Sequence, residues 1–237
     1  MRGVFVTATD TGVGKTVVTA ALARALRARG IDAGVAKPVQ SGNAVDDSAG
    51  DAALLVLGAG VDDDPAAICP YAFLAPLAPL VAARLEGRTV DPQVVLERLD
   101  AVAARHDVLL VEGAGGLLVP VGEDWTIADL AAWLGLPLLV VARTGLGTVN
   151  HTLLTLAAAR QRGLEPLGVV LNGASDDGDA SPSTNPDLIE AFGEVAVLGT
   201  IPWLDGLAAE ALAEAVAARL DLDPVLRILV REEAPRV

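Results

Sequence analysis

Residues 3–30 read GVFVTATDTGVGKTVVTAALARALRARG. The opening residues form a short apolar, β-branched run suited to a buried strand, and from Val17 onward apolar residues recur at helical spacing until Gly30 stops them. Between the two lies a glycine turn that ends in the triplet Gly14-Lys15-Thr16. A strand, a glycine loop and a helix in that order aim successive backbone N–H groups and the positive end of a helix at one point, which favours bound phosphate. There Lys15 can neutralise the β and γ phosphates of a nucleotide, and the Thr16 hydroxyl can ligate magnesium. The strict spacing G-x-x-x-x-G-K-[ST] needs glycine at position 9, where Thr9 stands. The reading therefore rests on the GKT triplet with Gly12 and Gly14 between strand and helix.

The same alternation continues along the chain. Strands are expected at AGVAKPV (33–39), DVLLVEG (107–113), PLLVVAR (137–143), PLGVVLNG (166–173) and AVLGTIPW (196–203). Helices are expected at DAALLVLG (51–58), DPQVVLERLDAVAAR (91–105), DWTIADLAAWLG (124–135), NHTLLTLAAARQRG (150–163) and GLAAEALAEAVAARL (206–220). Such a pattern builds an α/β fold: a doubly wound, mostly parallel sheet with helices on both faces, of P-loop NTPase type, in a single domain. That domain is expected over residues 1–223, with a loosely held tail at 224–237. The acidic, small and proline residues of ASDDGDASPSTNP (174–186) read as an exposed loop. Residues 65–83 carry no charge, but Pro65, Pro70, Pro76 and Pro79 would each interrupt a bilayer helix, so they read as a buried turn and loop.

Composition narrows the partners. Hydrophobic residues make up 52% of the chain and aromatics only 3%, so Val, Leu, Ile and Ala must build the core, as in parallel sheets. With 17 Lys and Arg against 31 Asp and Glu, the formal charge is -14, which disfavours nucleic acid and anionic membrane surfaces. The single cysteine, Cys69, excludes an intrachain disulfide, and without a charged leader the expected setting is cytoplasmic.

Further chemistry-bearing residues stand at strand ends. Glu112 closes the apolar run DVLLVE, where open parallel sheets place ligands, and Gly113, Gly115 and Gly116 let the backbone pass close to phosphates. Lys37 closes AGVA, and Pro38 keeps the chain extended, so its ammonium is expected on the same face as Lys15; spacing alone fits a solvated lysine as well. Ser41 and Gly42 fit a loop that could receive a ligand. Asp51 opens a helix and reads locally as a cap or dipole partner. His106 and His151 read as structural or exposed, and Cys69 as an inert thiol.

The ordered set TDTGVGKT, AKPVQSG, DAALL, PYAF, VEGAGGLLVP, LGTVNHTLLT, VVLNG and GTIPW spans nearly the whole chain and resembles the dethiobiotin synthetases. The resemblance implies an ATP-dependent cyclo-ligase of biotin biosynthesis that joins 7,8-diaminononanoate and CO2, with Mg2+ as cofactor and ATP as co-substrate. It further implies that Gly12, Val13, Gly14, Lys15, Thr16 and Val17 hold the triphosphate, and that Thr16, Asp51 and Glu112 serve the metal. Gly113, Ala114 and Gly115 would line the nucleotide, while Asn172, Gly173, Pro202, Trp203 and Leu204 would frame the adenine. Thr11, Lys37 and Ser41 would face the substrate, with Lys37, Lys15 and Thr11 carrying the chemistry. Finally, it implies a homodimer in which Gly147 and Asn150 bind the substrate carboxylate across the interface, although the same residues read locally as an ordinary helix cap.

Members of that family commonly carry glycine before the TDT run and glutamate after it, where this chain has Ala8 and Gly12. A rival reading, a partition ATPase, is disfavoured because its usual KGGxGKT loop carries a second lysine where this chain has Asp10. An amide synthase of the cobyrinate type would need a glutaminase domain that a chain of 237 residues has no room to add.

Overall fold

The computed structural model describes residues 1–174, 181–204 and 208–230. In chain order the elements are β1 (Gly3–Ala8), α1 (Lys15–Arg27), β2 (Ala33–Ala36), β3 (Val39–Ser41), α2 (Asp51–Ala59), α3 (Pro65–Ile68), β4 (Tyr71–Phe73), α4 (Pro79–Leu85) and α5 (Pro92–Ala103). They continue with β5 (Val108–Glu112), α6 (Ile127–Leu134), β6 (Leu138–Arg143), α7 (Thr148–Gln161), β7 (Pro166–Ala174), α8 (Ser181–Gly193), β8 (Val197–Pro202), α9 (Ala209–Ala217) and α10 (Asp223–Val230).

Six strands form one parallel sheet in the order β2-β5-β1-β6-β7-β8. Every residue of β1 and β5 is buried, which explains why these strands read as continuous apolar runs and not as alternating ones. The doubly wound α/β expectation therefore holds. Register does the positioning: Ala36 of β2 lies beside Val111 of β5, so the next residues, Lys37 and Glu112, leave the sheet as neighbours.

Several local expectations are corrected. AGVAKPV is not one strand, because β2 ends at Ala36 and, after Lys37 and Pro38, β3 pairs with β4 in a separate two-stranded sheet. Pro38 has no N–H to give a ladder, which makes it a natural break. Residues 65–83 hold α3, β4 and the start of α4 instead of a buried loop; Pro65 and Pro79 sit in the first turns of their helices, where the missing N–H is harmless. Leu74, at 68% exposure, also shows that this segment is only partly buried.

Helix α7 begins at Thr148, so the apolar pattern from Asn150 is preceded by two further helical residues. The expected loop at 174–186 gives way to α8 from Ser181, with Pro186 inside it; residues 175–180 of that expectation lie outside the described residues. The predicted tail is also shortened at its start, since Val225 and Leu229 of α10 are buried in the core, while 231–237 lie outside the described residues. Among the described residues, no helix is long and apolar enough to cross a membrane.

Candidate active site

From β1 the chain runs outward to β2, returns through β5, and then crosses β1 to reach β6. The carboxyl ends of β1 and its neighbours thus border the crevice where strand order reverses, the usual ligand position in open parallel sheets. The glycine loop between β1 and α1 occupies it. Gly14, the N-cap of α1, has φ 94, and a Cβ there would lie 2.1 Å from Asn172 Nδ2. The close approach is functional for packing, because Asn172 Nδ2 donates to Val13 O at 2.9 Å and ties the loop to the end of β7. Gly12 has φ 76 with open space around it, a left-handed backbone that glycine adopts without strain. Ala8 is fully buried within β1, and its methyl group is accommodated by the sheet.

Four charged groups and a hydroxyl meet beneath this loop. Lys37 Nζ lies 2.5 Å from Glu112 Oε1 and 2.8 Å from Asp51 Oδ2, and it donates to Gly113 O at 3.1 Å. Thr16 Oγ1 lies 3.0 Å from Glu112 Oε1 and 3.2 Å from Asp51 Oδ1. Lys37 and Glu112 are buried. Burial alone would push the Lys37 ammonium down, but the adjacent charges of Glu112 and Asp51 reverse this and raise it above the ordinary lysine range. Burial likewise draws Asp51 upward, and Lys37 with Thr16 outweighs it, so the carboxyl is held below its usual range. Glu112 is pushed up by burial against the pull of Lys37. Lys15 is pushed down to about 8, first by burial and then by the charge of Lys37.

Asp51 is therefore more than the helix cap that local sequence suggested. Its placement depends on Gln40, which the sequence reading missed. Buried Gln40 accepts from Ala52 N at 3.0 Å and donates to Asn43 O and Ala44 O, which fixes the first turn of α2. A lone Gln in a strand carries no recognisable motif, so only the fold reveals its role.

The charged cleft has a volume of about 330 Å³, and Thr11, Gly12, Gly14, Lys15, Thr16, Lys37, Ser41, Asp51, Glu112, Ala114 and Gly115 line it together with Gln40. Gly113 contributes its carbonyl, and a Cβ there would press on Ile127 at 2.8 Å. A second, more apolar cavity of about 230 Å³ shares Gly12 and Gly14 with the first and is walled by Val17, Asn172, Gly173, Pro202, Trp203 and Leu204. Ile201, Leu212 and Val216 complete it and had given no signal in the sequence. One Asn172 N–H is taken by Val13 O, which leaves its second N–H and its carbonyl oxygen for the cavity that Asn172 lines.

Gly147 and Asn150 are not brought to this cleft within the chain. Gly147 is the N-cap of α7 with φ 92, and Asn150 is exposed. An open groove of about 460 Å³ lies between the glycine loop, residues 116–120 and α7, where Leu154, Thr155 and Ala158 line it and Gly147 and Asn150 do not. His151, read as structural or exposed, bonds Asp10 of the loop at 2.9 Å and links the two regions. His106 is structural, with its ring nitrogens 3.2 Å from Asp32 Oδ2 and 3.0 Å from Asp63 Oδ2. Cys69 is buried, and burial pushes its thiol up to about 12, consistent with an inert group.

Thr16, Asp51 and Glu112 form an all-oxygen donor set suited to a hard cation, and the buried Glu112 Oε2 has no hydrogen-bond partner among the described atoms. Among the described residues, no group of three or more His, Cys, Asp or Glu is arranged as a self-sufficient metal cage. The set fits magnesium, which typically takes one or two carboxylates and completes its shell with phosphate oxygens and water.

A family model described as an AAA domain matches residues 2–211. An ATP-dependent dethiobiotin synthetase from Anaeromyxobacter dehalogenans is 51% identical over 93% of this chain and 99% of the relative. One from Bacillus licheniformis is 41% identical over 95% and 96%. Among solved structures, a ParA family ATPase from Chlorobium tepidum aligns over 97% of this chain and 98% of its own, with a TM-score of 0.54 and 15% identity. The cell division ATPase MinD from Pyrococcus furiosus aligns over 92% and 98%, with a TM-score of 0.53 and 20% identity. At those identities the two structures speak for the fold alone. The glycine loop, the strand-end lysine and glutamate, and matches of this extent place one conclusion beyond the fold: the chain belongs to the ATP-dependent dethiobiotin synthetase family.

Proposed function

We propose that this chain closes the ureido ring of dethiobiotin from 7,8-diaminononanoate, CO2 and ATP, releasing ADP and phosphate. One observation carries the reading: Lys15, Lys37, Thr16, Asp51 and Glu112 converge on one cleft that opens beside an apolar cavity sized for a base. One substrate amine adds to CO2 and loses a proton, giving a carbamate. Its oxygen attacks the γ-phosphorus as ADP leaves, and the second amine then attacks the carbonyl carbon, expelling phosphate and a proton.

The chain's part is alignment and charge. The loop from Gly12 to Thr16 holds the phosphates, Lys15 meets the transferred group, and Thr11, Lys37 and Ser41 orient the carbamate. Magnesium, held by Thr16, Asp51 and Glu112, supplies charge neutralisation on the phosphates when bound. Asn172 and Trp203 frame the base with Gly173, Pro202 and Leu204.

The working unit in this reading is a homodimer. Leu118, Leu146 and Leu154 are 52%, 87% and 62% exposed on the side that carries Gly147 and Asn150. Apolar side chains exposed in that way favour a second subunit over water. A cytoplasmic setting fits the supply of ATP. The test is to incubate the purified protein with ATP, the diamine and 13C-bicarbonate. Equimolar dethiobiotin and phosphate, with label in the ureido carbon, is the expected result; phosphate release indifferent to the diamine would overturn the proposal.

A further inference from the structure

The carboxylates that fit magnesium already hold a cation, each through one of its oxygens. Lys37 Nζ contacts Glu112 Oε1 at 2.5 Å and Asp51 Oδ2 at 2.8 Å, the two carboxylates that Thr16 also bridges. Two carboxylates held this close in a buried site repel each other unless a positive charge lies between them. Lys37 supplies that charge, and the β2–β5 register delivers it there by making Lys37 and Glu112 neighbours at the sheet edge.

A magnesium ion bound by Glu112, Asp51 and Thr16 would sit about 2.1 Å from their oxygens. It would share the carboxylate pair that the Lys37 ammonium holds, and the two positive charges repel. We infer that Lys37 is an internal competitor of the metal: it holds the carboxylate pair until a metal-loaded nucleotide displaces it, and the displaced ammonium is then free to meet the substrate carbamate. Ser41 and Gln40 line the cleft on the side to which the lysine, anchored by its backbone N–H to Ile68 O at 3.1 Å, can swing. Metal loading and readiness of the substrate site thereby become one event, which disfavours binding of metal without nucleotide.

This inference rests on the assignment of Thr16, Asp51 and Glu112 to magnesium, and the test separates the two. Mn2+ is titrated into the nucleotide-free protein and followed by electron paramagnetic resonance. In Lys37→Met, a neutral side chain of similar length, Mn2+ affinity should rise by about tenfold or more, because a site blocked most of the time binds more weakly by the blocked fraction. In Glu112→Gln it should fall below detection. Retained Mn2+ affinity in Glu112→Gln would overturn the metal assignment and the inference with it; normal loss there, with no gain in Lys37→Met, overturns the inference alone. Should Lys37→Met fail to fold, the wild-type protein labelled with 15N-lysine answers the same question, with the Lys37 ammonium signal identified by its loss in Lys37→Arg. That signal should move on addition of ADP with Mg2+ and stay in place with ADP and a chelator. An identical response with and without Mg2+ overturns the inference.

Discussion

The two ends of the groove differ in how far one chain completes them. At the phosphate end the charged side chains are paired within the chain, Lys15 apart: Lys37 is bound by two carboxylates, Thr16 bridges them, Gln40 fixes the helix that carries Asp51, and Asn172 pins Val13. At the α7 end Leu146 and Leu154 face outward, Asn150 is exposed, and the helix starts at a glycine with no side-chain cap. Burial makes the first end expensive to disturb, since any unpaired charge there loses water without gaining a partner. The second end has little to lose within the chain, which is the expected condition of a surface completed by another subunit.

The largest test strikes the phosphate end. If Lys15 meets the transferred phosphate as proposed, Lys15→Ala should lower kcat by about 10²–10³ while the fold persists. Steady-state product formation together with circular dichroism checks this. Near-normal turnover by the folded variant would break the assignment of that end.

A smaller effect is expected from Gly14→Ala. The added Cβ meets Asn172 Nδ2 at 2.1 Å and imposes φ 94 on a residue that resists it. Strain of this kind amounts to about 1–3 kcal/mol. It should appear both as a lower midpoint in thermal unfolding and as weaker ATP binding, because Asn172 leaves Val13 and the base cavity together. Gly12→Ala is the sharpening control: its Cβ meets nothing within 4 Å, so it carries only the backbone term.

These two glycines also show what was legible in sequence. The P-loop, the alternation of strands and helices, and the strand-end positions of Lys37 and Glu112 follow from local patterns, and the fold confirms that they are neighbours. Asp51 looked like a cap because the partner that defines it, Lys37, comes from the link between β2 and β3. Gln40, Ile201, Leu212 and Val216 were silent for the same reason, since their roles arise from long-range packing and not from spacing. Residues 65–83 misled because prolines that break a helix interior are harmless in a first turn, where α3 and α4 place them. The helix from Asp223 was missed because its apolar residues follow a proline and precede a charged terminus, a pattern that reads as a tail until Val225 and Leu229 are seen in the core.

The α7 end calls for a test across subunits. Lys37→Gln should retain ATP binding in calorimetry but lose turnover, and Asn150→Trp should block the carboxylate site of the neighbouring subunit. Mixed under conditions of subunit exchange, the two inactive proteins should recover about a quarter of wild-type activity, because half of the dimers are mixed and each has one intact composite site. Absence of recovery after exchange has been demonstrated, or full activity in an isolated monomer, would break the contrast between the two ends.

The smallest effect lies in the bond that joins them. His151 Nδ1 sits 2.9 Å from Asp10 Oδ2, so the first turn of α7 is tied to the phosphate loop by a partly exposed pair, with Arg143 contributing a further positive charge. The hydrogen bond from His151 leads the causes that hold the Asp10 carboxyl below its usual range. A carboxyl depressed in the folded state stabilises it at pH values above the unfolded pKa of about 3.9, and the benefit disappears as pH falls through the lower folded value. Solvent screening keeps the contribution under about 1 kcal/mol. Asp10→Ala should therefore lower the thermal midpoint slightly at neutral pH, and the gap between variant and wild type should close below about pH 4. If the link also aligns the two ends, the same variant raises KM for the diamine more than it changes ATP affinity. A stability gap that persists unchanged well below the unfolded carboxyl pKa of about 3.9 would mean that Asp10 acts through packing of the loop, and that the two ends of the groove are joined by the backbone alone.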